Sequence, residues 1–140
     1  MADIRRTFSY EEIRERLIPL FSEEGLQLIL LFGSAGAGRM HQKSDIDLGF
    51  LFDRPMPVLS ITNRVLRLLH TDRVDVVDLR HASPLLKYAS VEKGRPIYER
   101  SPGVFHAFSS LAFRMYVDTK KLRHARALGI KRFLEARGLS

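Results

Sequence analysis

The chain has 140 residues, of which 45% are hydrophobic, and this fits one globular domain with a substantial core. It contains no cysteine, which excludes a disulfide framework and thiolate metal sites, and its net charge is +7. Because the longest apolar run, "LILLF", is far shorter than the roughly 20 residues that span a bilayer, and the N-terminus has no apolar signal region, we expect a soluble cytoplasmic protein.

Apolar periodicity predicts alternating helices and strands along the chain. Ser9 and Glu12 form a capping-box pattern before a helix that runs to Gly25, with a kink expected at Pro19. The elements predicted next are strands over 26–32 and 45–52, a helix over 58–70, a strand over 73–79, a helix over 83–94 and a short edge strand over 96–99. This pattern predicts that residues 1–100 form an α/β (α+β) domain with a small sheet flanked by helices.

The last residues, 101–140, are predicted to form a basic helical arm. They hold 8 Lys and Arg against 2 Asp and Glu, whereas residues 1–100 hold 15 against 14. The pattern is helical from Pro102 almost to the end, with an interruption expected near Gly129. Apolar residues at helical spacing mark its first half: Phe105, Phe108, Leu111, Ala112 and Met115. We expect this half to pack on the sheet and the more basic second half to contact a partner.

Two acids interrupt the otherwise apolar second strand. Asp45 and Asp47 are two residues apart, so their side chains share one face of the strand while Ile46 and Leu48 face the core. Two carboxylates roughly 4 Å apart repel by about 1 kcal/mol in water and about 4 kcal/mol at an effective dielectric constant of 20. A cation between them removes this cost. Oxygen ligands favour Mg²⁺, which commonly also binds substrate phosphates, and the pair therefore indicates nucleotide chemistry.

The turn before these acids supplies groups that suit a polyphosphate. Gly33 allows a sharp turn after the first strand, and Ser34 with the following backbone N–H groups can donate to phosphate oxygens. Arg39 and Lys43 lie in the same loop and offer positive charge. We therefore expect Gly33, Ser34 and Arg39 to bind the nucleotide.

Other interpretations of this segment fit less well. A P-loop requires Lys and a hydroxyl residue where "GSAGAGRM" has Arg39 and Met40, and no dinucleotide fingerprint is present. An EF-hand loop requires alternating polar residues, whereas "DIDLGFLFDRPM" is apolar through its middle. Acids on a solvated sheet face remain the simple structural alternative. A nucleic-acid-binding module is disfavoured, because the positive charge is confined to the arm and no aromatic stacking platform accompanies it.

The motifs resemble those of a known family. Gly33-Ser34, ten residues and then Asp45-Ile46-Asp47 are similar to the GS-x10-DxD signature of nucleotidyltransferases with the DNA polymerase β fold. The segments "LFGS", "SDIDLGFLF" and "DRVDVVDLR" together resemble the minimal nucleotidyltransferases over residues 28–99. The arm resembles the tail of those members that are antitoxins of HEPN-domain toxins. The resemblance implies a polymerase β-like fold with a small mixed sheet and a C-terminal helical arm.

The resemblance also implies the roles of the acids. Asp45 and Asp47 would bind Mg²⁺, and a third acid from a neighbouring strand would complete the catalytic and metal site. Asp75 and Asp78 are the candidates, and their odd spacing puts them on opposite faces of one strand. We favour Asp75, because Val77 shares its face within the sheet while Asp78 lies toward the loop.

The activity that the resemblance implies is transfer of AMP from ATP to a tyrosine of a cognate HEPN toxin, which neutralises the toxin. Mg²⁺ and ATP are then required, the toxin is the partner, and a homo-oligomer or a hetero-oligomer with the toxin is expected. Two alternatives stay open: a nucleotidyltransferase with a small-molecule acceptor, or a non-enzymatic antitoxin that only occludes its toxin. The residues themselves do not identify the nucleotide or the acceptor.

Overall fold

A computed structural model describes residues 8–32 and 46–138. The helices and strands are, in chain order, α1 (Tyr10–Leu17), a 3-10 helix (Ile18–Leu20), β1 (Leu26–Phe32), β2 (Ile46–Phe52), α2 (Val58–Leu69), β3 (Val74–Asp78), α3 (Pro84–Glu92), β4 (Arg95–Glu99) and α4 (Val104–Ala136). The predicted alternation of helices and strands is therefore confirmed.

The first helix begins as predicted and ends earlier. The Ser9 hydroxyl accepts a hydrogen bond from the Glu12 backbone N–H at 3.1 Å, as an N-cap does. The α-helix ends at Leu17, and a 3-10 turn that contains Pro19 follows. The expected kinked helix to Gly25 is thus wrong, because proline lacks the N–H that a continuing α-helix needs.

The four strands form one mixed sheet in the order β3-β2-β1-β4. β1 pairs with β2 and with β4 in antiparallel fashion, whereas β2 and β3 are parallel. The crossover from β2 to β3 contains α2, which supplies the connection that parallel neighbours require. This arrangement confirms the small mixed sheet that was predicted, with β4 at one edge.

The two faces of the sheet bury different sets of side chains. The first face packs against α1 and α2 and holds the larger core, which includes Leu48 and Phe50 of β2. The second face holds a smaller cluster of Leu28, Leu30 and Leu79, against which side chains of α3 and α4 pack. Because side chains alternate along a strand, the odd-numbered residues of β2 face this second side.

Gly49 of β2 allows a close contact on the second face. A Cβ at this position would lie 2.8–2.9 Å from three side-chain carbons of Leu79, which is fully buried. Only glycine leaves room for Leu79 to lie directly over β2. The side chain of Leu79 therefore covers the strand at the midpoint of its second face.

The arm is a single helix, and its two halves differ in packing. Phe105 and Phe108 pack against the smaller cluster, and Tyr116 stacks on Tyr88 of α3 with ring centroids 4.1 Å apart. The interruption expected near Gly129 is wrong, since α4 continues to Ala136. Beyond the packed half, large apolar side chains are exposed: Leu122, Leu128, Ile130 and Phe133. The first half therefore packs on the sheet as predicted, and the division of the chain near residue 100 stays a prediction.

Within the described part of the chain, no helix has the length and apolar character needed to cross a membrane.

Candidate functional site

The structure places two of the predicted acids side by side. Asp47 of β2 and Asp75 of β3 are register partners across the parallel pair, so their Cα atoms lie opposite each other on adjacent strands. Directly paired residues project to the same face of a sheet. Val77 and Leu51, which share this face by alternation, pack against the smaller cluster. The two carboxylates therefore lie on the second face, at the ends of β2 and β3 that are farther from Phe52.

Exposure and strand position together suit these acids to a ligand. Asp75 is exposed and Asp47 is half-buried, and each lies next to a core residue of its strand, Val74 and Leu48 respectively. The strands fix the backbone of both acids, while their side chains remain on the surface of the domain. The two carboxylates are therefore held by rigid strands rather than by a loop.

Asp78 occupies a different position from Asp75. It is the last residue of β3, and its carboxylate accepts from the Arg80 backbone N–H at 3.1 Å. Its second oxygen lies 2.9 Å from Nδ1 of His81. These contacts are those of an acid that closes a turn after a strand. Asp78 pairs in register with Phe50, three positions from Asp47.

The remaining predicted site residues lie outside the described residues. These are Asp45 as a metal and catalytic residue, and Gly33, Ser34 and Arg39 as nucleotide-binding residues. Within 8–32 and 46–138, no group of three His, Asp or Glu side chains could hold a metal ion. The described part of the site thus consists of Asp47 and Asp75.

This donor set suits a hard divalent cation. Two carboxylates on adjacent strands supply oxygen ligands, and Mg²⁺ usually takes one or two carboxylates together with water and substrate phosphates. The exposed position of Asp75 leaves space for the other ligands. The pair therefore fits Mg²⁺ in the presence of a polyphosphate, with room for a further carboxylate.

The opposite end of β2 has a separate charged group. The Arg54 guanidinium donates to Asp53 at 2.8 Å and lies 3.0 Å from Glu24. The hydrogen bond from Arg54 lowers the pKa of Asp53, and the two acids raise the pKa of Arg54. This cluster lies just beyond β2, at the end remote from Asp47, and its ion pairs connect the β2 end to the turn before β1.

Residues 15–103 match the family model described as polymerase beta, nucleotidyltransferase. This range contains every strand of the sheet and both Asp47 and Asp75.

Individual proteins are similar over most of the chain. A protein adenylyltransferase MntA from Aphanizomenon flos-aquae is 26% identical over 141 residues, which is 91% of this chain and 94% of the relative. A crystal structure of a toxin-antitoxin with AMP-PNP is 28% identical with a TM-score of 0.72, over 84% of this chain and 98% of that chain. A crystal structure of the toxin-antitoxin MntA-HepT is 25% identical with a TM-score of 0.68, over 86% and 98% respectively.

Proposed function

The chain belongs to the polymerase beta nucleotidyltransferase family, and from this membership we propose that it is an antitoxin that transfers AMP from ATP to a cognate HEPN-domain toxin. The observation that carries the proposal is the in-register pair Asp47 and Asp75 on one sheet face. The relatives support its finer parts, since one is a protein adenylyltransferase and others are crystallised in toxin-antitoxin pairs, one of them with AMP-PNP.

The reaction is an in-line displacement at the α-phosphate of ATP. The oxygen of a toxin hydroxyl, for which we propose a tyrosine, forms a bond to the α-phosphorus, and the bond from that phosphorus to the bridging oxygen of pyrophosphate breaks. The hydroxyl proton leaves as the new bond forms. AMP is thereby attached to the toxin, and pyrophosphate takes the electron pair of the broken bond.

The acids hold the reacting groups in place. Asp47 and Asp75, joined by Asp45, would hold Mg²⁺, which supplies positive charge against the triphosphate when bound. Asp75 is exposed on the edge of the pair, where its carboxylate can accept the proton of an incoming hydroxyl. The backbone of two adjacent strands keeps Asp47 and Asp75 at a fixed spacing, which orients acceptor and phosphate for attack.

The phosphate side of the site is assigned to the loop between β1 and β2. Gly33 and Ser34 follow β1 directly in the sequence, and we propose that they donate to the β and γ phosphates, with Arg39 and Lys43 offsetting negative charge. This loop begins where β1 ends and returns to the chain at Asp45, two residues before Asp47. Because Phe32 ends β1 and pairs with Asp47, a loop that follows Phe32 starts at the same end of the sheet as the acids.

A protein acceptor fits the exposed surface of α4. The described residues form one sheet and its helices, and the second half of α4 exposes apolar side chains, among them Ile130 and Phe133, that are 61% and 53% exposed. Such a surface is typical of a protein contact, because contiguous exposed apolar groups favour association. The exposed half of α4 therefore supports a protein, rather than a small molecule, as the acceptor.

The proposal is tested with the purified protein, ATP, Mg²⁺ and the cognate HEPN-domain toxin. Mass spectrometry of the toxin is expected to show a gain of one or more AMP groups on tyrosine, absent when Asp47→Asn replaces the wild-type protein. Toxin that stays unmodified but is still inhibited would support an antitoxin that acts by occlusion. AMP on an added small molecule, with none on the toxin, would support the small-molecule alternative.

A further inference from the structure

A cleft of about 450 Å³ lies between the second face of the sheet and the helices α3 and α4. Its walls are mostly apolar and come from both layers: Leu51 and Leu79 from the sheet side, and Phe108 and Leu111 from α4. Two cations, Arg80 and Lys87, also line it. The cleft therefore combines an apolar interior with positive charge.

The cleft lies on the same sheet face as the acids of the candidate site. Asp47, Gly49 and Leu51 alternate onto this face, and each step of two residues along a strand spans roughly 6.6 Å. The cleft wall at Leu51 is thus roughly 13 Å from Asp47 along β2. Between them, the fully buried side chain of Leu79 covers Gly49. The cleft and the acids are therefore separated on one sheet face by a distance that a short peptide segment can span.

The charge of the cleft selects an anionic ligand. Arg80 and Lys87 form no ion pair with the described residues. Two acids lie nearby. Gln27 of the cleft donates to Asp53 at 3.3 Å, but Asp53 is already bound by Arg54. Asp78 accepts from the backbone N–H of Arg80 and is already bound by His81. A carboxylate that enters with an apolar group would thus meet two cations without a competing ion pair.

The lining disfavours a nucleobase as the occupant. A base is recognised by hydrogen bonds from precisely placed neutral donors and acceptors. Gln27 is the one neutral polar side chain among the cleft residues described, and its amide nitrogen already donates to the Gly25 carbonyl and to Asp53. An apolar side chain with an acidic neighbour fits the walls and the charges better.

We propose that this cleft docks the acceptor segment of the toxin. A toxin segment inserts an apolar side chain between Leu51 and Phe108 and places an acidic residue near Arg80 and Lys87. Four residues of extended chain span about 13 Å, so the anchor is at least four positions from the tyrosine that reaches Asp47 and Asp75. This inference rests on the proposed function and adds to it a specificity site for the acceptor.

Two variants alter the cleft without touching the acids. Ala107 is exposed on α4 and lines the cleft, so Ala107→Phe fills the cleft from the surface of a helix. Lys87→Glu reverses one of the two charges. The matched controls are Ser110→Phe, an exposed position of the same helix, and Lys93→Glu at the end of α3, neither of which lines the cleft.

The experiment measures AMP transfer to the purified cognate toxin at varied toxin and ATP concentrations. We expect Ala107→Phe and Lys87→Glu to raise the KM for toxin at least tenfold, with kcat and the KM for ATP within twofold of wild type. Both controls should keep wild-type values. A change of the docked acidic toxin residue to Lys should restore the KM of Lys87→Glu. Toxin KM values that equal wild type in both cleft variants would overturn the inference.

Binding measured without ATP separates this inference from the proposed function. If the wild-type protein transfers no AMP, the proposed function fails. Calorimetry with the toxin then shows whether the cleft is a docking site. A wild-type Kd for Ala107→Phe and Lys87→Glu would exclude the cleft as a docking site. A Kd weakened at least tenfold in both, with the Ser110→Phe and Lys93→Glu controls unchanged, would support docking independently of catalysis. Thermal melting of each variant checks that it is folded.

Discussion

Asp47 and Asp75 lie opposite each other on two parallel strands, although 27 residues separate them in the sequence. Parallel pairing gives both side chains the same face and a spacing fixed by hydrogen-bonded backbone. α2 makes this possible, since it returns the chain across the first face and lets β3 start beside the beginning of β2. The remaining carboxylate of the proposed site, Asp45, precedes Asp47 by two residues in the sequence.

Replacing either acid of the pair by its amide should abolish transfer. An amide has no charge to offset Mg²⁺ and is a poor ligand, so Asp47→Asn and Asp75→Asn should each lower kcat/KM at least a hundredfold, which corresponds to about 2.7 kcal/mol in the barrier. Asp78→Asn should transfer AMP at close to the wild-type rate, because Asp78 binds Arg80 and His81 in a turn. Steady-state kinetics on the three variants makes the comparison, and a large loss in Asp78→Asn with none in Asp75→Asn would reassign the third carboxylate.

The melting temperature of the metal-free protein should reveal the repulsion between Asp47 and Asp75 without any substrate. Like charges on adjacent strands repel by about 1 to 4 kcal/mol, depending on the effective dielectric constant. In EDTA at low salt, Asp47→Asn should therefore melt at a higher temperature than wild type. Mg²⁺ and ATP should reverse the order, because a ligand that binds only the folded wild-type site stabilises it. Thermal shifts at two salt concentrations test this, and an Asp47→Asn advantage that survives Mg²⁺-ATP would argue against metal binding.

Gly49→Ala should destabilise the protein by about 1–3 kcal/mol, because its Cβ would overlap the buried side chain of Leu79. Gly129→Ala is the control, since a Cβ at Gly129 meets nothing within 4 Å and lies inside a helix. That variant should gain up to about 1 kcal/mol from alanine's higher helix propensity. Urea unfolding of both variants gives the two values. A neutral Gly49→Ala would mean that Leu79 can move aside without cost.

Truncation of the arm should have effects that depend on where the chain is cut. Ending the chain before Pro102 removes Phe105 and Phe108 from the smaller cluster, so the melting temperature should fall. Ending it after Thr119 removes only the largely exposed half and should leave ATP binding unchanged while toxin binding weakens. Calorimetry with ATP and with the toxin compares the two truncations. Unchanged toxin affinity after the shorter truncation would exclude the exposed half as a contact.

The Asp53–Arg54 pair should give stability that disappears in acid. The hydrogen bond from Arg54 lowers the pKa of Asp53 in the folded protein below its unfolded value of about 3.9. The contribution is therefore complete above that unfolded value and is lost as the pH falls through the lower folded pKa. Urea midpoints of wild type and Asp53→Asn should differ at pH 7 and converge near pH 2. A difference that stays constant with pH would show that the carboxylate charge contributes nothing.

The order of the helices and strands could be predicted, because the spacing of apolar residues along the chain indicates which side chains each element buries. The short apolar runs from Leu26 to Phe32 and from Ile46 to Phe52 predicted both central strands at their observed bounds, apart from Asp45, which is outside the described residues. The errors at Pro19 and Gly129 have local causes. A proline can either kink or end a helix, and a single glycine costs a long helix only about 1 kcal/mol.

The site could be predicted only in part. Spacing identified Asp47 and reduced the third acid to Asp75 or Asp78, but strand register, which places Asp75 opposite Asp47, depends on the packing of α2 and both faces. The cleft could not be predicted, because its walls come from β1, β2, the turn after β3, α3 and α4. Residues so far apart in the sequence show no common pattern until the helices have packed. The importance of Gly49 was likewise missed, since its constraint comes from Leu79, which follows β3.

β3 lies at one edge of the four described strands, and this position gives Asp75 a second consequence. An edge strand exposes unpaired backbone groups that can recruit a strand from another molecule. A charged, exposed side chain on this five-residue strand opposes that recruitment, because an added strand would bring a copy of the same charge or bury it. The carboxylate proposed for catalysis therefore also disfavours pairing of this edge with a strand of another molecule.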